Sequence, residues 1–432
     1  MGEPKKKMHY AWKVLIGLCF LGVGGFPLIF NLVGVYMVPV STAMGMDMGS
    51  FAMFLTIEAV VALFVIPIGG RLFKTKHVSL VMTAGIICCV IGVLGFTMAS
   101  QPWHMYVIGA ILGLGCPFIF GLPQTVLIGN WFGKKYQGRM MSICMACLVA
   151  SPIFWAPIFT MILNTFGYHV TYIINAALIA ILCLPWAIFV FRRAPEDMGM
   201  EPYGVNEEAG GKSALEEEND LKVGITPGAA MKTLPFWAIL LAACLICFAM
   251  GYQNYSVLLA GSYLPSLGEA GAAMFGATMI STFSIGSLCA TFLFGFLLDK
   301  GWFKQTFVLF LALFVIGMVC WFTLHNEIGL LVGAFCLGTH NGLATVGFPL
   351  ALRRLFGGKH YSVTYSYVNM CSSTVGGFSS SILGFIFAAV GGIQGMLVFG
   401  IGLAIVIAIC ALIGVSFIGK IPWPEDSKAA EA

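Results

Sequence analysis

Two side chains in this 432-residue chain could handle a proton where charge is expensive. Glu58 and His340 each stand inside a long apolar run. An imidazole titrates near neutrality and a carboxyl can be tuned toward it, so either could bind and release a proton in transit. An ionisable group inside a bilayer costs about 2.5–3.5 kcal/mol on insertion scales, which makes function the first hypothesis for both. At 1.5 Å per residue, Glu58 lies roughly 10 Å from the end of its run, too deep to snorkel out. In its charged form His340 would be the one deep cation able to meet a substrate carboxylate. The competing reading of each is a neutral, hydrogen-bonded residue that joins two helices.

Other polar residues suit the orientation of a solute without net charge. Asn31 and Tyr36 stand in the first apolar run, Gln124 in the fourth, and Gln253, Asn254 and Tyr255 in the seventh, just beyond Gly251. Asn341 follows His340 in the tenth, and Trp155, between Pro152 and Pro157, could pack on a flat substrate. These side chains and His340 form the expected substrate-binding set, with Glu58 and His340 as the proton-coupling pair. No HExxH, paired carboxylates, nucleotide loop or Ser/His/Asp set is present, so an enzyme is not expected and no cofactor is implied. The pairs Cys144/Cys147 and Cys244/Cys247 have CxxC spacing but no histidine or carboxylate beside them, so they read as packing residues and no metal site is expected. Glu58 and His340 form no ring of charge, which argues against a passive channel.

The elements that must hold these residues follow from composition. With 59% apolar and 9% charged residues, the chain cannot cover itself with polar surface. Lipid is then its solvent, and runs of about 20 residues without alternation make the spans helical. Twelve spans are expected near 12–38, 51–73, 78–99, 103–129, 140–164, 169–191, 235–262, 272–298, 305–325, 328–352, 361–389 and 393–418. The first run is too long for a signal peptide and lacks a cleavage site. With that count, all 22 Lys and Arg residues fall on one side, which the positive-inside rule makes cytoplasmic. The one sizeable polar stretch, near 192–232, has a Glu-, Gly- and Asn-rich core and reads as a flexible linker, with Glu216, Glu217 and Glu218 solvated. The second half repeats the first at an offset of about 225 residues, which aligns Trp12 with Trp237, Gly113 with Gly338, and Gly133-Lys134 with Gly358-Lys359.

A duplicated six-helix unit with basic inner loops resembles the major facilitator superfamily over essentially the whole chain. Its signature loop is matched by Gly295, Leu297, Asp299, Lys300 and Lys304, and less well by Gly70 and Leu72, where Lys74 takes the place of the acid. Two segments resemble the oxalate/formate antiporter and monocarboxylate porter branch. They are Asn130-Trp131-Phe132-Gly133-Lys134-Lys135-Tyr136-Gln137-Gly138-Arg139 and Arg193-Ala194-Pro195-Glu196-Asp197-Met198-Gly199-Met200-Glu201-Pro202. The resemblance implies a cavity lined by the first, fourth, seventh and tenth helices. The Arg and Lys that dicarboxylate-binding members carry in the eighth and eleventh spans are absent here.

The expected protein is an all-α integral membrane carrier with twelve transmembrane helices in two pseudo-symmetric six-helix bundles. The N-terminal bundle spans 1–191, the linker 192–232, the C-terminal bundle 233–420 and a cytoplasmic tail 421–432. It would act as a monomer in the cytoplasmic membrane with both termini inside, having lipid, a small solute and protons as partners and no nucleic acid. The expected activity is secondary active transport of a monocarboxylate or amphipathic organic acid, with movement of a neutral, aromatic or steroid-like compound as the alternative. Asp299, with Lys300 and Arg139 nearby, is expected to form the ion pair that holds an inner gate.

Overall fold

The computed structural model describes residues 8–204, 224–300 and 302–420, apart from the side chains of Lys134 and Asp299. Among the described residues, eleven apolar helical runs are long enough to cross a bilayer. One of them, Lys135–Val190, reverses at Gly167, whose φ of 74° and ψ of 173° suit glycine and break the helix, so it makes two crossings. The chain is thus a multi-pass membrane protein of twelve helices. They are α1 (Tyr10–Met44), α2 (Met48–Leu72), α3 (Val78–Gly95), α4 (Pro102–Trp131), α5 (134–166), α6 (168–190), α7 (Leu234–Tyr263), α8 (Pro265–Leu298), α9 (Phe303–Thr323), α10 (Glu327–Phe356), α11 (Tyr361–Ala389) and α12 (Gly392–Ser416). Lipid cannot hydrogen-bond a backbone, so outward apolar faces such as those bearing Phe64 and Leu80 ride on unbroken α-helix. The fifth helix begins at Lys134 rather than near 140, because Lys134 to Arg139 continue the helix beyond its apolar run.

The central breaks of four helices fall in matched places. α1 is interrupted at Gly25 and α7 passes through a 3-10 segment at Met250–Tyr255. α4 breaks at Cys116–Phe118, and α10 passes through His340–Gly342 into a π turn at Leu343–Gly347. Positions 25 and 250, 116 and 341, and the reversals at Gly167 and Gly392 all differ by 225 residues. Backbone irregularity in a membrane is tolerated where it borders a cavity or other protein, so these paired breaks mark the molecule's centre.

The two sets of six helices meet through α2 with α11, α5 with α8, and α1 with α7. Thr56 and Ser381 share a 2.9 Å hydroxyl bond, and Gly377 leaves no room for a side chain beside Ala59. Ser281 donates to the Ile153 carbonyl at 3.0 Å, and Asn164 to that of Ala270 at 3.3 Å. Gly34 lies against the backbone of Gln253 and Asn254. All these contacts fall in the half of the membrane away from the 192–232 connection. That connection is fastened at both ends: Tyr203 N–H donates to Trp131 O, and Ile225 N–H donates to Phe356 O, each at 2.9 Å. Trp131 and Phe356 are again 225 apart. Residues 1–7, with Lys5, Lys6 and Lys7, the linker core 205–223 with Glu216, Glu217 and Glu218, and the tail 421–432 lie outside the described residues.

Candidate functional site in the central cavity

The row of α11 that packs on α2 shows which way the centre opens. In the far half, Gly377, Ser381 and Gly384 meet α2. Continued toward the linker side, this row and its neighbour carry Ser362, Ser366, Asn369 and Ser373, all exposed. Exposed apolar residues, Val363, Tyr367 and Ile382, lie beside or away from this row, while Phe385 packs on Gly49 of α2. Exposed hydroxyls and amides along one row of a spanning helix belong to a face that meets water rather than lipid. The halves are therefore closed together on the far side and parted on the linker side.

Glu58 faces this space. At about 100° per residue, α2 turns Ile57 and Val61 toward Gly109 and Gly113 of α4, and Leu55 and Ala59 toward Gly377 of α11. Glu58 projects between those two rows, beside the α4 break at Cys116. Its side chain is half-buried, and it has no hydrogen-bond or ion-pair partner among the described residues.

Around it the two walls differ. The N-terminal wall holds Phe26, Phe30 and Phe120, all half-buried. Phe26 stacks on Phe30 with centroids 4.5 Å apart and meets Phe120 at 4.6 Å. Asn31 lies next to this group, half-buried and with its amide unengaged by the described residues. The C-terminal wall offers Gln253 and Asn341, half-buried, with Thr345, Asn369 and Ser373 exposed. The α11 hydroxyls and amides, Thr345 and the three rings were not among the residues singled out from the sequence. The density of Ser, Thr and Asn between Tyr361 and Ser381 was the available signal.

Several residues chosen for their chemistry are engaged by the protein itself. Gln124 accepts from Gly121 N–H at 2.7 Å and donates to Ile119 O at 3.2 Å, which repairs the α4 break. Tyr36 is buried, stacks on Tyr172 at 4.6 Å and accepts from Asn175 at 3.3 Å. Tyr255 donates to Ser380 O at 2.5 Å, and Asn254 to the Ser380 hydroxyl at 2.8 Å. Trp155 Nε1 donates to Val23 O at 2.9 Å and ties α5 to α1. His340 does not lie on the cavity wall as expected. It is fully enclosed, with Phe283 at 5.4 Å and Phe314 at 5.5 Å, and its Nδ1 bonds Leu337 O. The irregular backbone of α10 at this point turns the imidazole into the packing with α8 and α9.

A broken-helix cavity between two repeats is a carrier architecture, and comparison with known proteins identifies it. The family model described as Major Facilitator Superfamily matches residues 19–278. The chain belongs to that superfamily. Its fold resembles a bacterial homolog of the human lysosomal transporter Spinster in an inward-facing, unoccupied conformation, with a TM-score of 0.72 at 12% identity, covering 96% of this chain and 98% of that one. It also resembles the nucleoside transporter NupG, with a TM-score of 0.69 at 14% identity, covering 94% of this chain and 99% of that one. A search of curated proteins found no match. At these identities the likeness speaks for the fold of a superfamily transporter and not for its solute.

Within this superfamily fold, the two segments read as branch markers form a clasp. Asn130 Nδ2 and Trp131 Nε1 donate to the carbonyls of Arg193 and Arg192, both at 2.9 Å. Arg193 pairs with Asp197 at 2.8 Å and reaches the Lys74 carbonyl at 3.3 Å. Tyr203 meets Trp12 and Tyr136 ring to ring at 5.5 and 5.4 Å. The motifs thus fasten the end of α4, the α2–α3 turn and the linker together, away from the cavity. Of the residues assigned to an inner gate, Arg139 and Lys300 are exposed, and Lys300 lies 4.5 Å from the Phe296 ring centroid. The Asp299 side chain lies outside the described residues. The fourteen cysteines are free; Cys89 and Cys116 bring their sulfurs within 3.7 Å, and Cys19 and Cys144 within 4.0 Å. No group of three or more metal-ligating side chains gathers among the described residues.

Proposed function

We propose that this superfamily transporter is a proton-coupled secondary carrier of a small organic solute, with Glu58 as the group that takes and releases the proton. One observation carries the reading: a carboxyl stands in the cavity with neither hydrogen bond nor ion pair among the described residues, between helices that must part when access alternates. A structural carboxyl would have a partner, because an unpaired buried charge is costly. Asn31, Gln253 and Asn341 orient the solute, and the helices lie in the cytoplasmic membrane with the linker inside. Arg139 and Lys300, exposed toward the linker side, are assigned together with Asp299 to a gate on that side.

Of the two substrate classes weighed from the sequence, the cavity favours the one without a carboxylate. His340 is sealed away, and the described Lys and Arg side chains stand toward the linker-side ends of the helices, so no deep cation awaits an acid. Proteoliposomes test the carrier. A solute found by thermal-shift screening should show saturable counterflow, and an imposed pH gradient should drive it. In Glu58→Gln the gradient should no longer drive flux. Full gradient-driven flux in that variant refutes the assignment.

A further inference from the structure

We infer that the solute is an organic cation with an apolar, ring-bearing body, and that this cation and the proton take turns on Glu58. The inference rests on the carrier reading above and adds the sign of the solute's charge and the logic of exchange.

Three features of the cavity converge. The first is the charge of its walls: Glu58 is the one ionised-type side chain described in the depth of the cavity. Lys13, Arg71, Arg139 and Arg354 all lie near linker-side helix ends. Cys116, at the α4 break, is the titratable neighbour of Glu58 on that helix, and α1 and α11 present Phe, Asn, Ser and Gly toward this region. The second feature is the ring group. Phe26 packs on Phe30 and Phe120, and this cluster of rings lies on the same wall as the acid; Phe120 follows Cys116 by four residues, roughly 6 Å along the helix. An anion placed there would meet a carboxyl and the π density of the outer rings, whereas a cation meets attraction from both. The third feature is the opposite wall of uncharged amides and hydroxyls, Gln253, Asn341, Asn369 and Ser373, which can follow the edge of a polar group without competing for its charge.

One carboxylate can neutralise one charge. When the cation binds, the Glu58 O–H bond breaks and its proton leaves to the compartment that the cavity faces. When the cation departs, a proton returns to the same oxygen. The site is electrically neutral in both occupied forms, so the two positive charges exclude each other and transport is an exchange.

Titration of the purified full chain in detergent, in weak buffer, with tetraphenylphosphonium, benzoate and benzamide as separate probes, tests this. Tetraphenylphosphonium should bind and release about one proton per cation bound near neutral pH. Glu58→Gln should bind it about tenfold or more weakly and release none, and Glu58→Asp should keep the release, which separates charge from folding. Phe120→Leu should weaken binding about 3- to 10-fold with release intact. Tetraphenylphosphonium binding equally well to Glu58→Gln overturns the proposal, as does preferential binding of benzoate. If benzamide binds wild type and Glu58→Gln alike while gradient-driven flux still needs Glu58, the cation proposal falls and the carrier reading stands.

Discussion

Glu58 and Phe283 occupy the same place in the two halves. They are 225 residues apart, and the carbonyl of each lies against a glycine of the neighbouring helix, Gly113 for Glu58 and Gly338 for Phe283. In the first half the side chain is an acid open to the cavity. In the second it is a ring that closes over His340, whose own counterpart is Gly115. The backbone has kept its repeat down to the breaks and reversals, while the chemistry has moved to one side. Close helix contact dictates the shared glycines, because a side chain there would strike a neighbouring carbonyl. Nothing in that contact dictates what the facing residue carries, so the first half holds an acid there and the second a ring packed on His340.

The contrast can be broken most decisively at its centre. Glu58→Gln should cut gradient-driven flux by roughly 100-fold, whereas Phe283→Leu should lower the melting temperature and leave the drive in place; equal loss of drive in both variants would erase the asymmetry. Next in size, His340→Ala should cost about 2 kcal/mol of stability by emptying the space between Phe283 and Phe314, with flux per folded molecule retained. A melting scan paired with a flux assay separates the two effects, and loss of proton drive would return His340 to the mechanism. Gly377→Leu should disfavour the far-side closure by about 1–3 kcal/mol, because the added side chain meets Ala59. Labelling of position 56 from the far side should then rise by roughly 5- to 150-fold, and unchanged labelling would place the tight contact elsewhere.

The smallest effect concerns Asp47, which caps α2. Partial desolvation pushes its carboxyl up, but the bonds from Ser50 N–H at 2.8 Å and the Ser50 hydroxyl at 2.6 Å outweigh this and hold it below the usual aspartate range. A lowered folded-state value means that the cap contributes fully above the ordinary aspartate range and is lost as pH falls through it. Asp47→Ala should cost about 1 kcal/mol near neutral pH and progressively less in acid. A pH-independent difference in melting temperature would show that the cap contributes through packing alone.

The twelve helices and their duplication were legible because both are written in long-range pattern: apolar runs of spanning length, cations on one side, and Gly and Trp in register. Glu58 stands out for the same reason, as an acid inside such a run. What could not be read was local satisfaction. Gln124, Tyr36 and Tyr255 have the right types for a binding site, yet their partners are carbonyls and rings brought close by folding. His340 was placed on the wall by its helix, but an irregular turn redirects it inward. The motifs around Asn130 and Arg193, taken as hints of a carboxylate substrate, turn out to hold a junction together, a task that any solute would permit.

The reversal at Gly167 joins α5 to α6 through a single residue, and Val390 and Gly391 alone separate α11 from α12. Corners this short store no slack. If α5 swings away from α8, or α11 from α2, its successor must be dragged along by the same angle, so the lipid-facing helices act as outriggers of the gate. Spectroscopic labels on the outer surfaces of α6 and α12 would then register the transport cycle without touching the pathway, and would do so in step with it.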